Sequence, residues 1–257
     1  MADDVEIYSI AVCPFAQRTR MVLALKGVPF RLTEIDITKP RPDWFLALNP
    51  LGQVPVIRHR GRVLNESSVI NEYLEEVFPT PRVFPADAYR RAQSRILIDQ
   101  LNQSFVPLMY TLLLNQDPAR HGELVTKALG TWRWLDAFLM RHDPEGNFLW
   151  DGFGMADLSA APFFQRYCLN THFRRFELPE TAEYQRVRRW RDALLAHPLV
   201  VETGMPDEDF IKLYADYALG YGNGAVPAGR THSSFDMSVP LASRPMPPPP
   251  DWILQQS

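Results

Sequence analysis

The stretch Val5-Glu6-Ile7-Tyr8-Ser9-Ile10-Ala11-Val12-Cys13-Pro14-Phe15-Ala16 decides the reading of this chain. Val5–Val12 is rich in β-branched and aromatic residues and reads as a strand. After Pro14, apolar Val22, Leu23, Ala24 and Leu25 alternate with Arg18, Arg20 and Lys26, which predicts an amphipathic helix over about 14–26. Pro14 suits the first turn of that helix, where a missing N–H costs nothing. Cys13 then sits beside unpaired backbone N–H groups and the positive end of the helix dipole. Such a position favours thiolate over thiol, so Cys13 is expected to be a nucleophile with a depressed pKa. The same residue also reads as a small buried side chain at a packed junction.

Position 16 is Ala, so there is no C-x-x-C and no intramolecular dithiol cycle at this site. The other of the two cysteines, Cys168, lies far away in a helical region. A monothiol mechanism needs an external thiol, and the natural one in a cell is glutathione.

Outward from this junction the first eighty residues alternate strand and helix. Phe30–Ile37 reads as a second strand, Asp43–Leu48 as a short helix, and Val54–Ile57 with Arg62–Leu64 as a hairpin around Arg60-Gly61. Ser67 or Ser68 then caps a helix reaching Val77. This β-α-β-α-β-β-α order is that of a thioredoxin-like domain. Pro55 opens a strand that should be central, where a normal ladder position suits proline poorly. A cis Val54-Pro55 peptide resolves the conflict. Pro79-Thr80-Pro81 breaks the pattern, and helical periodicity runs from Ala88 to about Tyr217. The expected organisation is an α/β thioredoxin-like domain over 1–80, a linker over 81–87, an all-helical domain over 88–219 and a Gly/Pro-rich extension over 220–257. The extension should be irregular and packed over the body. Trp132, Trp134, Phe138 and Leu139 are spaced as core residues. Arg186, Arg188, Arg189 and Arg191 around Trp190 read as a solvated helix face rather than a nucleic-acid patch.

Composition narrows the function classes. The chain has 257 residues and a formal charge of −3, which gives no argument for nucleic acid or a membrane surface. Two cysteines make no secreted disulfide framework. No run of about 20 apolar residues suggests a transmembrane helix, and Met1-Ala2-Asp3-Asp4 has no signal-peptide pattern. A cytoplasmic location is expected. The six histidines show no paired ligand spacing, so no metal site is expected. Gly220-Tyr221-Gly222-Asn223-Gly224 lacks the Lys-Ser/Thr of a phosphate loop.

Cys13-Pro14-Phe15-Ala16, Asn49-Pro50-Leu51-Gly52-Gln53-Val54-Pro55 and Glu66-Ser67, at these spacings, resemble the omega class of cytosolic glutathione transferases. The resemblance covers about residues 5–217. The tail, with Gly222-Asn223-Gly224, Ser233-Ser234-Phe235 and Arg244-Pro245-Met246-Pro247-Pro248, is similar to a narrower bacterial group. Those are omega-like glutathione lyases of lignin β-aryl-ether breakdown.

The resemblance implies glutathione as co-substrate and a homodimer. Val54, before Pro55, would pair its backbone with the cysteinyl part of glutathione. Glu66 and Ser67 would hold the γ-glutamyl end, although the pair also reads as a plain helix cap. Arg41 or, interchangeably, Lys39 would meet the glycine end, and Phe15 would lie against the tripeptide backbone. The family usually places Ser or Thr three residues before a buried Asp. Here Gly154-Met155-Ala156-Asp157 leaves that capping box half missing, which should weaken folding.

The implied chemistry is attack of the Cys13 thiolate on the sulfur of an α-keto aryl thioether or a mixed disulfide, with a second glutathione resolving the enzyme adduct. Thioether cleavage expels an enolate, which calls for a proton donor on the helical side. Tyr214, Tyr217 and Tyr221 are the candidates, with Tyr217 favoured, and each also reads as helix packing. Rival readings are a glutathione-dependent dehalogenase, isomerase or dehydroascorbate reductase, and a non-enzymatic binding protein on the same fold.

Overall fold

The computed structural model describes residues 5–255. The acidic opening Met1–Asp4, read above for a signal peptide, lies outside the described residues, as do Gln256 and Ser257. Strand β1 (Val5–Ser9) is buried along its whole length. It pairs in parallel with β2 (Phe30–Glu34) and antiparallel with β3 (Val56–His59), which pairs antiparallel with β4 (Arg62–Asn65). The sheet order is therefore β2-β1-β3-β4. Helix α1 (Pro14–Leu25) and the short α2 (Asp43–Leu46) precede the hairpin, and α3 (Ser67–Val77) follows it. Both strand ends fall short of the sequence reading, because the chain turns away at Ile10 and Ile35 to shape loops. Val54-Pro55 is cis, as expected, and so is Thr80-Pro81.

The second half is helical. It holds α4 (Ala88–Gln100), α5 (Val106–Leu114), α6 (Pro118–His142), α7 (Met155–Gln165), α8 (Cys168–Arg174), α9 (Gln185–Ala196), α10 (Pro198–Thr203), α11 (Asp207–Leu213) and α12 (Ala215–Ala218). A π-turn at Leu101–Phe105 separates α4 from α5. Pro107, which has no N–H to continue the ladder, stands two residues beyond it. The helical periodicity also breaks between α7 and α8, after Gln165. There the Arg166 side chain donates to the Pro162 carbonyl four residues back, at 2.6 Å. None of the helices among the described residues is long and apolar enough to cross a membrane.

Two buried clusters each span both halves. Val5, Ile7, Met21 and Ile57 of the sheet half belong to the same buried cluster as Leu97, Phe105, Trp132, Phe163 and Trp190. Along the seam, α1 presents buried polar side chains beside the Phe15–Phe163 ring contact. Gln17 Nε2 donates to Gln165 Oε1 at 2.7 Å, and Arg18 donates to the Ser159 carbonyl at 2.8 Å and Asn102 Oδ1 at 2.9 Å. The polar face of α1, whose residues read as the solvent side of an amphipathic helix, thus points into the protein. The arginines around Trp190 are likewise not all solvated. Arg186 is buried and donates to the carbonyls of Asp143 and Phe148, each at 2.8 Å. The spacing of Trp132, Phe138 and Leu139 does mark the core, where all three are buried.

The extension is irregular and packed down. Arg230 pairs with buried Asp216 at 2.9 Å, Lys212 donates to the Leu241 carbonyl at 3.1 Å, and His172 Nε2 meets the Pro247 carbonyl at 2.7 Å. Phe235 and Ile253 are buried. A last short helix, α13 (Asp251–Leu254), places Trp252 against His121 and over the Arg174 guanidinium.

The start of α7 corrects the expectation of a weakened cap. The Asp157 carboxylate accepts N–H bonds from Gly154 at 2.9 Å, from Leu149 at 2.9 Å and from the Trp190 indole at 2.6 Å. Gly154 is required for a separate reason. Met155 N–H donates to the Val83 carbonyl at 2.9 Å, and a Cβ at position 154 would stand 2.9 Å from that same oxygen. A hydroxyl side chain there would collide before it could cap. Gly154→Ser is therefore expected to destabilise the fold by about 1–3 kcal/mol, as overpacking does. Thermal melting checks this, and a raised melting temperature would restore the idea of a missing cap.

Candidate active site

A cleft of about 680 Å³ opens between the sheet half and the helical half. Cys13 sits at its base, at the N-cap position of α1, with Pro14 as the first helical residue. Its Sγ faces the Val54 carbonyl at 3.9 Å. Phe15, Val54, Pro55, Glu66, Ser67 and Arg41 all line the cleft, so one concavity gathers residues spread over fifty positions of sequence. Lys39 does not line it. That side chain is exposed and pairs with Asp36 at 3.0 Å. Arg41 is fixed at the rim by bonds to the carbonyls of Gly52 at 3.0 Å and Asp36 at 3.2 Å.

Glu66 carries backbone strain. Its φ is +68°, in the half of conformational space that favours glycine. Such a residue costs roughly 1–3 kcal/mol and persists only where its surroundings hold it. Glu66, rather than the expected Ser67 or Ser68, occupies the N-cap position of α3, which begins at Ser67, yet its side chain makes no cap bond. Helix capping by the Glu66 carboxylate is therefore absent, and the carboxylate is exposed at the cleft mouth.

The opposite wall is aromatic. Tyr110 of α5, Tyr214 and Tyr217 line it with Phe235 from the extension. The rings of Tyr214 and Tyr217 lie 5.0 Å apart, and those of Tyr110 and Tyr217 5.8 Å apart. Burial pushes all three phenols above their ordinary range, so they stay protonated. The Tyr214 hydroxyl donates to the Val12 carbonyl at 2.8 Å. The Tyr217 hydroxyl accepts the Asn223 N–H at 2.9 Å and donates to Asn223 Oδ1 at 3.1 Å. Tyr221, the third tyrosine considered, does not line the cleft.

Cys13 departs from expectation in one respect. Burial pushes its thiol up rather than down. The N–H groups of Ala16 and Phe15 and the guanidiniums of Arg166 and Arg20 oppose that shift without cancelling it. The sequence shows the helix N-terminus but not the depth of the cleft. The Cys168 thiol is pushed up as well, mainly by burial, and Asp207 beside it adds a like-charge penalty.

Sequence reasoning missed Tyr110 and Arg166. Tyr110 lies in an apolar helical run and looks like any core aromatic. Arg166 had a visible signal, as the lone charge in Leu158–Leu169, but nothing in the sequence says what it faces. No cluster of His, Cys, Asp and Glu able to hold a metal occurs among the described residues.

Comparison with known proteins agrees with this architecture. The family profile for the N-terminal domain of glutathione S-transferases matches residues 12–77. A probable glutathione transferase of Aplysia californica is 48% identical over 84 residues, 33% of this chain and 90% of that protein. The probable glutathione transferase omega-2 of Caenorhabditis elegans is 26% identical over 234 residues, 85% of this chain and 88% of that protein. The crystal structure of glutathione transferase Omega 3C from Trametes versicolor superposes with a TM-score of 0.72 at 28% identity. It covers 84% of this chain and 91% of that one. The chain belongs to the glutathione transferase family, and its resemblance is to the omega class.

Incubation with oxidised glutathione should add one glutathionyl group to the intact protein, located on Cys13 by peptide mass. An adduct on Cys168 in the Cys13→Ser variant would contradict the assignment of the reactive thiol.

Proposed function

We propose that this chain is a glutathione-dependent thioltransferase and lyase acting through Cys13. The observation that carries the reading is a single cysteine at a helix N-cap, at the base of a cleft whose mouth holds a strained, uncapping Glu66. Glutathione would lie along the sheet side. The Val54 backbone would bond its cysteinyl part, as a short strand adds to a sheet. Glu66 would pair with the γ-glutamyl ammonium. Ser67, with the α3 N-terminus, would take the carboxylate of that end. Arg41 rather than Lys39 would meet the glycine end, and Phe15 would pack against the backbone.

The Cys13 thiolate attacks the glutathionyl sulfur. An enzyme–glutathione disulfide forms and the bond from sulfur to the leaving group breaks with its electron pair. A second glutathione thiolate then attacks the adduct, giving oxidised glutathione and free Cys13. With a mixed disulfide the leaving group is a thiolate. With an α-glutathionyl aryl ketone it is an enolate, which takes up a proton to become the ketone. The aromatic wall of Tyr110, Tyr214 and Phe235 suits an aryl group, and the Tyr217 phenol, which donates to Asn223 Oδ1 in the free site, would turn that proton to the enolate. The assembly is proposed as a homodimer, for which a dimeric mass in solution is the check.

Glu66→Ala and Ser67→Ala should each raise the apparent KM for glutathione about tenfold to a hundredfold, since a charge-assisted hydrogen bond contributes roughly 1.5–3 kcal/mol. Unchanged affinity in both would return the pair to a structural role. Tyr217→Phe should slow cleavage of the aryl ketone thioether by a factor of about 100 or more, while reduction of a mixed disulfide changes little. Equal slowing of both reactions would make Tyr217 structural. No thioether turnover by the unaltered protein would leave a thioltransferase alone.

A further inference from the structure

We propose that Arg166 is the resident counter-charge for the anion formed at Cys13. This rests on the reading of Cys13 as the nucleophile and goes beyond it, because it assigns the stabilising charge to a residue on the helical half.

Arg166 is 1% exposed. All three guanidinium nitrogens are engaged, and every acceptor is neutral. Nη2 donates to the Val12 carbonyl at 2.8 Å, Nη1 to Gln17 Oε1 at 2.9 Å and to the Pro162 carbonyl at 2.6 Å, and Nε to the Tyr214 hydroxyl at 3.3 Å. The Phe210 ring covers one face, 4.4 Å from the guanidinium carbon. Among the described residues no carboxylate pairs with it. Asp207, exposed at the start of α11, is bonded instead to the Cys168 thiol. Buried charges are normally paired, because a lone one forfeits its hydration without return. Two of the four bonds tie this charge to the cleft floor. One reaches the carbonyl immediately before Cys13, and another reaches a phenol that itself bonds that carbonyl. The Cys13 sulfur is the group beside this charge that carries an anion in the reaction proposed above.

The other charges near Cys13 are placed differently. From α1, Arg18 turns to the helical half and lies over the rings of Phe15 and Phe163. Arg20, also on α1, donates to Ser9 Oγ and the Ala11 carbonyl, and shares its field with Glu34 of β2. Tyr110, Tyr214 and Tyr217 face the site as neutral phenols. Arg166 is thus a positioning residue. It acts on Cys13 through its charge, and its removal should move the thiolate titration rather than only the fold.

The test follows the thiolate of the full-length protein by ultraviolet absorbance and by iodoacetamide alkylation across pH. In Arg166→Gln the Cys13 titration should move up by about one pH unit or more, with alkylation about tenfold slower below the midpoint. Arg166→Lys should stay close to the unaltered protein. Equal titration in all three would overturn the counter-charge and leave Cys13 as the nucleophile. Failure of the unaltered protein to alkylate at Cys13 would instead defeat the nucleophile. A second comparison needs no change at Arg166. Cys13→Asp puts a carboxylate where the thiolate forms, and Cys13→Asn gives its neutral match. With a resident counter-charge the two should melt within a few degrees of each other at pH 7. A Cys13→Asp protein that melts far below Cys13→Asn as pH rises through the carboxylate range would mean that no compensating charge is there.

Discussion

The bond from buried Arg166 to the Val12 carbonyl is the constraint on which the cleft depends. It joins the loop that carries Cys13 to the helical half, and it does so inside the protein, where competing water is absent. Gln17 and Arg18 extend the same seam along α1, each reaching α7. Polar groups sealed in this way resist sliding, because a small displacement leaves several of them unpaired at once. The two halves are thereby held at a fixed separation, and the space between them is the cleft. The sheet side and the aromatic side of the cleft face each other because of bonds that lie behind both.

The same logic recurs at the edge of the helical half. Asp157 gathers donors from the Leu149 loop, the start of α7 and the α9 indole. Burial pushes its carboxyl up to about 6 against the pull of those three donors. The chain after Pro81 meets α7 there so closely that only glycine fits at 154. Arg174 does comparable work beneath the extension, donating to the carbonyls of Leu112 at 3.0 Å and Ala218 at 2.9 Å. It ties the end of α5 to the end of α12, the two elements that carry Tyr110 and Tyr217. Buried arginines bonded to main-chain carbonyls thus set the geometry of a largely apolar helical domain.

The extension completes the wall rather than merely covering it. Asn223 fixes the Tyr217 hydroxyl, and Phe235 fills the space beside Tyr214. Gly224 crosses so near the Ile37 carbonyl that a Cβ would lie 2.6 Å from it. The tail therefore reaches the sheet half across the end of the cleft.

Much of this was legible in the sequence. Local signals were strong where chemistry and backbone coincide, at Cys13-Pro14, at Val54-Pro55 and in the strand and helix order of the first eighty residues. The cleft also gathers Phe15, Arg41, Glu66, Ser67 and Tyr217. What stayed hidden depends on which way a side chain points. The arginines of α1 look like a solvent face, since periodicity cannot distinguish water from a polar seam. Gly154 looks like a lost cap because the Val83 carbonyl comes from seventy residues away. Arg166 and Tyr110 come near Cys13 only when the end of α7 and α5 fold against the sheet half. The cysteine's pKa could not be read for the same reason, since burial is a property of the assembled cleft. The most direct measurement is a single turnover without free glutathione, mixing the protein with an equivalent of an α-glutathionyl aryl ketone and weighing both products. The account predicts one equivalent of ketone released and one glutathionyl group on the Cys13 peptide. Ketone release with no adduct on Cys13 would contradict it.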